Sequence, residues 1–103
     1  SKVKFSAINR FPAVHRDIAL VVREEVKAEQ LMKAIKAAGK RMVKQVEVFD
    51  VYQGEHVESG KKSVALSITY QSEDHTLTDQ EIQDVHQTVL ARLEKDCQAV
   101  LRG

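Results

Sequence analysis

Strand-like and helix-like segments alternate along this sequence in the order β-α-β-β-α-β. The predicted strands cover residues 17–22, 43–52, 61–70 and 99–101, which are rich in apolar and β-branched side chains. The first predicted helix covers residues 27–38, where apolar side chains recur at helical spacing, and Gly39 supplies its C-terminal stop. This order of elements restricts the chain to few topologies.

The second predicted helix has a strong start signal. Thr78 and Glu81 fit a capping box, in which each side chain accepts a hydrogen bond from the backbone N–H of the other residue. Leu77 and Ile82 stand at the positions of a hydrophobic staple. The helix is therefore predicted to begin after Thr78 and to end near Asp96.

The simplest fold for this order is a four-stranded antiparallel sheet with both helices on one face, a ferredoxin-like α+β sandwich. Residues 3–16 are predicted to be irregular. The 103 residues suit a single domain, so residues 1–103 are predicted to form one. The sequence does not begin with Met, and we expect it to be a piece of a larger protein.

Alternation of side chains separates the helix-covered face of the predicted sheet from an open face. In the second strand, Phe49 and Val51 are predicted to point towards the helices, and Asp50 and Tyr52 away from them. The open face would also expose small side chains from the other strands. These are Ala19, Ser63, Ala65, Ser67 and Thr69.

Asp50 and Tyr52 give the predicted open face the chemistry of a shallow site for a planar ligand. A tyrosine ring stacks on a nucleic-acid base with about 1–3 kcal/mol. A carboxylate accepts hydrogen bonds from the N1–H and N2–H₂ groups of guanine. The basic residues Arg16, Lys61 and Lys62 are predicted to lie at the edge and to meet phosphates. A plain polar sheet face, or a surface packed against another domain, fits the same pattern.

Composition argues against several other classes of protein. The net charge is only +1, so bulk charge does not indicate a nucleic-acid binder. No apolar run approaches the roughly 20 residues that span a bilayer. The lone Cys97 suits a reducing compartment, and we expect a cytoplasmic protein. The four histidines lack metal-ligand spacing, so neither a metal site nor a catalytic residue is predicted.

Five motifs together carry a more specific signal than the fold. They are FPAVHRDIALVV (11–22), FDVYQG (49–54), GKKSVALSITY (60–70), TLTDQEI (76–82) and AVLRG (99–103). In this order and spacing they resemble the ferredoxin-fold anticodon-binding domain that ends the beta subunit of bacterial phenylalanyl-tRNA synthetase. The resemblance covers nearly the whole chain from about Phe5.

The resemblance implies an accessory RNA-binding module with no catalytic site of its own. Such a module would bind the anticodon loop of phenylalanine tRNA, chiefly its first-position guanine, and position the tRNA for aminoacylation at the alpha subunit. Its protein partners would be the rest of the beta subunit and the alpha subunit of an (αβ)₂ synthetase, with no membrane. No cofactor is implied in this domain; ATP and magnesium would belong to the catalytic subunit.

The resemblance also assigns roles to individual residues. Asp50 and Ser63 would read the guanine edge, Tyr52 would stack on the base, and Ala19 would keep the floor of the site low. Three further residues in the matching motifs would have backbone-contacting or shaping roles. These are Phe11, Arg16 and Lys62.

Two other functions fit the same topology. An amino-acid-sensing regulatory domain typically binds its ligand at a glycine-containing loop after the first strand, whereas residues 23–26 here are Arg-Glu-Glu-Val. A protein-docking domain would use the open face for protein contact. Such a face should tolerate Tyr52→Phe and be insensitive to the nucleotide offered.

Overall fold

The structure, a computed structural model, describes residues 11–102. Its elements follow the predicted order. They are β1 (Val14–Arg23), α1 (Ala28–Gly39), a 3₁₀ turn (Lys40–Met42), β2 (Val43–Tyr52), β3 (Lys61–Tyr70), α2 (Asp79–Cys97) and β4 (Val100–Leu101).

The four strands form one sheet in the order β2-β3-β1-β4. β1 pairs antiparallel with β3 and β4, and β2 pairs antiparallel with β3. The two central strands are thus β3 and β1, and β2 and β4 are the edges. The prediction of a ferredoxin-like α+β fold is confirmed.

The hydrophobic core lies between the sheet and the two helices. α1 buries Leu31 and Ile35, and α2 buries Val89 and Leu93, against one face of the sheet. From the central strand β3, Leu66 enters the same cluster and is completely buried. Burial of these side chains is the main source of stability for a domain of this size.

The start of α2 follows its sequence signal. The Thr78 hydroxyl accepts from the backbone N–H of Glu81 at 3.1 Å, and the Thr78 N–H donates to the Glu81 carboxylate at 2.9 Å. The predicted capping box is therefore confirmed, as are the bounds of β2 and β3. The prediction of an irregular segment over residues 3–16 is wrong for residues 14–16, because β1 begins at Val14 and includes Arg16, and residues 3–10 of that segment lie outside the described residues.

β2 contains an extra residue at Phe49. Val48 pairs with Leu66, but Asp50 pairs with the next residue of β3, Ala65, so the ladder has a β-bulge between them. The prediction that Phe49 packs against the helices is wrong, since its side chain is 59% exposed. Val51 pairs with the buried Val64 and so points to the helix side as predicted, but its side chain is 54% exposed and does not join the core. Phe49 is the extra residue of the bulge, and Val51 lies near the end of an edge strand.

A partly buried polar pair joins the sheet to α2. The Tyr70 hydroxyl and His86 Nδ1 are 2.9 Å apart, and the two rings meet edge to face. Burial raises the pKa of Tyr70 to about 12, although the positive charge of Arg16 opposes this shift. Burial also lowers the pKa of His86, and Arg16 lowers it further. Both causes favour the neutral form of His86 in the folded chain.

We expect the folded chain to lose stability when the pH falls from about 7.5 to about 5.5. The folded pKa of His86 is lowered, so below its ordinary value of about 6.5 the unfolded chain binds a proton that the folded chain resists. The stability contributed by neutral His86 is thus complete above that value and declines below it. The midpoint of urea unfolding at the two pH values measures the decline.

Two histidine variants isolate this effect. His86→Gln keeps a polar partner for Tyr70 but cannot titrate, so it should flatten the decline. His56→Gln, in the exposed loop between β2 and β3, should leave the decline unchanged. A His86→Gln variant that keeps the full decline would contradict the assignment to His86.

Candidate nucleic-acid interface

The sheet surface opposite the helices is here called the open face. In β3 the buried side chains of Val64, Leu66 and Ile68 point to the helices, so the residues between them point to the open face. Strand register continues this division into β1 and β2. The open face therefore consists of alternate residues from each strand.

The register brings four residues of the predicted site into two neighbouring rows of the open face. In one row Asp50 pairs with Ala65, which pairs in turn with Ala19. In the next row Tyr52 pairs with Ser63. The prediction that Asp50 and Tyr52 point away from the helices is confirmed, because both pair with open-face residues.

The Asp50 carboxylate is exposed to solvent. None of the ion pairs within residues 11–102 involves Asp50. The bulge at Phe49 places Asp50 opposite Ala65, whose methyl group is too short to obstruct the carboxylate. Asp50 is thus an exposed hydrogen-bond acceptor above a low floor.

The Tyr52 ring has two close neighbours. The ring lies against Gly54, where a Cβ atom would clash with the Tyr52 hydroxyl, so glycine is what permits this ring position. The Arg102 guanidinium carbon is 5.5 Å from the ring centroid, within the range of a cation–π interaction. Tyr52 is consequently half-buried rather than fully exposed.

Ser63 lies on the open face but is only 4% exposed. The prediction of an exposed Ser63 is therefore wrong. Ser63 has Tyr52 beside it on one strand and Val21 on the other, and these longer side chains cover a serine that lies lower than they do. A ligand that hydrogen-bonds to Ser63 must first displace part of this cover.

Arg16 and Lys62 do not share a face with Asp50. Arg16 pairs with the buried Ile68, and Lys62 pairs with the buried Val22, so both point to the helix side of the sheet. Lys62 is nevertheless at the same end of the sheet as Tyr52. Arg16 contributes charge to the buried Tyr70–His86 pair instead.

Phe11 lies at the far end of the sheet. Its backbone carbonyl accepts a hydrogen bond from the side chain of Gln71, the residue that follows β3. Ser63, near the start of β3, is separated from Tyr70 at its end by about 24 Å of extended chain. Phe11 therefore does not contribute to the same surface patch as Asp50 and Tyr52.

The charge of the open face changes along the strands. One row beyond Asp50, Glu47 and Asp17 flank Ser67 on either side. These carboxylates make this end of the face acidic, and they repel anionic groups more strongly here than at the opposite end, where Tyr52 lies. Arg102, the second-last residue of the AVLRG motif, also lies on this face. No role was predicted for it from the sequence.

The loop after β1 makes contacts within itself and with the segment that connects β2 to β3. The Arg23 guanidinium is 3.8 Å from the Glu25 carboxylate, and Gln53 donates to Glu24 at 3.3 Å. The Glu24 N–H also donates to the carbonyl of Gly60 at 3.0 Å. These contacts tie the loop to the β2–β3 connection.

Residues 11–102 offer neither a metal-binding cluster nor a membrane-spanning helix. No cluster of three or more His, Cys, Asp or Glu side chains in this part of the chain is arranged to hold a metal ion. Neither helix described here combines the length and the apolar character that a bilayer crossing requires.

The fold and the open face together define a ferredoxin-like domain whose sheet surface opposite the helices presents an aromatic ring and a carboxylate. The ferredoxin-fold anticodon binding domain family matches residues 9–102. The chain belongs to this family, and the resemblance inferred from the five motifs is confirmed.

Bacterial relatives give the same result. The chain is 50% identical over 103 residues to the phenylalanine--tRNA ligase beta subunit of Halalkalibacterium halodurans, covering 100% of this chain. It is 52% identical over 101 residues to that of Geobacillus kaustophilus, and 52% identical over 99 residues to that of Bacillus subtilis, covering 98% and 96% of the chain. The chain spans 13%, 13% and 12% of these relatives' length.

Proposed function

We propose that this domain recognises the anticodon loop of phenylalanine tRNA within the beta subunit of a phenylalanyl-tRNA synthetase. The observation that carries the proposal is the placement of Asp50 and Tyr52 in neighbouring rows of the open face, beside Ala19. The near-50% identity to phenylalanine--tRNA ligase beta subunits supports it.

The chemistry of the site suits a guanine at the first anticodon position. The Tyr52 ring stacks on the base, and the Asp50 carboxylate accepts from the guanine N1–H and N2–H₂ groups. Ser63 adds a hydroxyl once its cover is displaced, and Ala19 leaves room above the floor. Cytosine has an acceptor at N3 in place of the N1–H donor, so it faces the Asp50 carboxylate unfavourably.

The proposed role is recognition, and any effect on the rate of aminoacylation comes through positioning. Binding of the anticodon loop orients the tRNA so that its acceptor end reaches the active site on the alpha subunit of an (αβ)₂ enzyme. ATP and magnesium serve the reaction at that site. The cytoplasm, where tRNA is charged, is the proposed location.

Asp50→Ala should remove most of the preference for guanine. Each bidentate contact to a base contributes about 1–3 kcal/mol of discrimination, so the ratio of affinities for the guanine and cytosine loops should fall about tenfold. The measurement is titration of the chain with a phenylalanine anticodon stem-loop and with its first-position G-to-C variant, by calorimetry or anisotropy.

Glu47→Ala is the matched control for charge. It removes a carboxylate from the same strand. Glu47 pairs with Ser67, two open-face rows from the row of Tyr52, so the ratio of affinities for the two loops should stay unchanged. Equal affinity of the unmutated chain for both loops would contradict base recognition. A similar loss of discrimination in Glu47→Ala and Asp50→Ala would attribute the effect to general charge.

A further inference from the structure

A groove in the helix layer lies between the end of α1 and the first half of α2. It has a volume of about 640 Å³ and includes the 3₁₀ turn, Lys40–Met42, in its lining. On α2 the lining extends from Glu81 to Thr88, which corresponds to about 10 Å along a helix. This surface is here called the helix groove. Its principal lining residues are Lys40, Arg41, Met42, Glu81, Asp84 and Val85.

The helix groove continues beyond the two helices. Arg41, Met42 and Glu81 also line a second depression of about 220 Å³, which extends to the loop between β3 and α2. Because the two depressions share these three residues, they form one continuous channel. A channel that follows a helix and then a loop suits a chain segment better than a compact small molecule.

The lining combines an apolar floor with two walls of opposite charge. Ala38 and Val85 belong to the core cluster and are only 8% and 6% exposed. Lys40 and Arg41 are exposed on one wall, and Asp84 is exposed on the other. In the described part of the chain, no ion pair involves any of these three charged side chains. Both walls therefore offer charge to an occupant of the groove.

Asp84 supplies the available negative charge of the α2 wall. The neighbouring Glu81 carboxylate is already paired with His75 at 2.8 Å, and it accepts from the Thr78 N–H at 2.9 Å. Asp84 accepts a hydrogen bond from the Gln80 side chain at 2.8 Å. That neutral contact leaves the Asp84 charge uncompensated, so the carboxylate can pair with a basic group in the groove.

The Lys40 backbone has a conformation that favours glycine. Its φ is 52° and its ψ is −128°, a combination that costs free energy for a residue with a side chain. Glycine is instead found one residue earlier, where a Cβ atom at Gly39 would clash with Val43. A glycine at position 40 would relieve the strain, so the strain is consistent with a use for the lysine charge.

The shape and charge of the helix groove limit what can occupy it. A second copy of the chain would bring one groove against another, and two concave surfaces do not pack. A polyanion such as RNA would be repelled by Asp84 and Glu81 on the α2 wall. The chain spans only 13% of the beta subunit of Halalkalibacterium halodurans. Most of such a subunit lies outside this domain and must hold it while the open face stays free for RNA.

We propose that the helix groove is the docking site for a segment of the beta subunit outside residues 1–103. The segment places apolar side chains on the floor, an acidic side chain against Lys40 and Arg41, and a basic side chain against Asp84. This inference rests on the proposed function, because it takes the chain to be part of a beta subunit. Docking fixes the orientation of the open face, as positioning of the tRNA requires.

Photo-cross-linking in the assembled (αβ)₂ synthetase identifies the occupant. Thr88→p-benzoylphenylalanine places the probe in the groove, and it should cross-link to a peptide of the beta subunit outside residues 1–103. Lys33→p-benzoylphenylalanine is the matched control, since Lys33 is exposed on α1 outside the groove lining, and it should give no such product. Mass spectrometry identifies the linked peptides. A cross-link from position 88 to tRNA, to the alpha subunit or within residues 1–103 would overturn the proposal, as would the absence of a product.

Charge reversal measures what docking contributes to function. Lys40→Glu/Arg41→Glu should lower kcat/KM of the synthetase for phenylalanine tRNA by at least about tenfold, because misplacement of a bound substrate costs up to about 10²-fold. The isolated chain with the same change should bind the guanine stem-loop as the unmutated chain does. Lys33→Glu/Lys36→Glu makes an equal change of charge elsewhere on α1 and should leave both values unchanged.

Lys40→Gly separates docking from stability. Glycine relieves the strained backbone, so the midpoint of urea unfolding of the isolated chain should stay the same or rise. Loss of the lysine charge should nevertheless lower kcat/KM of the synthetase. A fall of the midpoint together with kcat/KM would mean that Lys40 acts through the fold, and its docking role would be overturned.

The outcomes distinguish this proposal from the proposed function. If position 88 cross-links as expected but the isolated chain fails to distinguish the guanine and cytosine loops, anticodon recognition falls and docking stands. If the chain distinguishes the loops but position 88 gives no beta-subunit product, recognition stands and docking falls. Docking also falls if Lys40→Glu/Arg41→Glu leaves kcat/KM unchanged.

Discussion

Tyr52→Ala is expected to weaken binding of both anticodon stem-loops by about 1–3 kcal/mol, which corresponds to about 5- to 150-fold. The reason is that Tyr52 supplies the aromatic stacking surface of the open face, and stacking does not depend on which base is offered. The fold should persist, because Tyr52 lies outside the core cluster. Titration of the folded variant with the guanine and cytosine loops measures the loss.

Two further variants of this region test the position of the ring as well as its presence. Tyr52→Phe keeps the ring and should retain most of the affinity, so sensitivity to the nucleotide offered, and not this variant, separates RNA recognition from protein docking. Gly54→Ala keeps the tyrosine but adds a Cβ that clashes with its hydroxyl, so the ring must shift and binding should weaken. Unchanged affinity in folded Tyr52→Ala would contradict stacking of the base on this ring.

Leu66→Ala is expected to lower the free energy of unfolding by about 2–5 kcal/mol, the range for leucine truncation in a packed core. Leu66 is completely buried in β3, which lies between β1 and β2 and beneath the helices. Domains of this size are stable by about 5–15 kcal/mol, so the loss is a large fraction of the total. Urea denaturation at neutral pH measures it.

Ser67→Ala is the matched control on the neighbouring position of the same strand. Ser67 points to the open face, away from the core, and its replacement should change the free energy of unfolding by less than about 0.5 kcal/mol. Equal losses in the two variants would contradict the assignment of β3 residues to opposite faces of the sheet.

Much of the fold could be predicted because several local signals agree. The alternation in residues 61–70 identified β3 with its correct bounds, and the capping box of Thr78 and Glu81 located the start of α2. The placement of Asp50 and Tyr52 on the open face was also correct, because the alternation from Asp50 to Tyr52 lies wholly after the bulge at Phe49. These features depend on short-range patterns, which sequence records directly.

Other features depend on contacts that no local pattern records. The polar run before residue 18 concealed the first residues of β1, although Arg16 is paired with Ile68 across the sheet. Ser63 has the expected direction, but its burial depends on longer side chains from neighbouring strands. The position of Arg102 was not predicted because it depends on a side chain that crosses from one edge of the sheet towards the other.

The bulge in β2 makes this surface sensitive to the number of residues in the strand. Val46 and Val48 pair with buried residues of β3, and uninterrupted alternation from them would turn Asp50 and Tyr52 towards the helices. The additional Phe49 reverses that direction. A substitution at position 49 preserves the arrangement, whereas a single-residue deletion there would exchange the two faces and drive a carboxylate into the apolar interior.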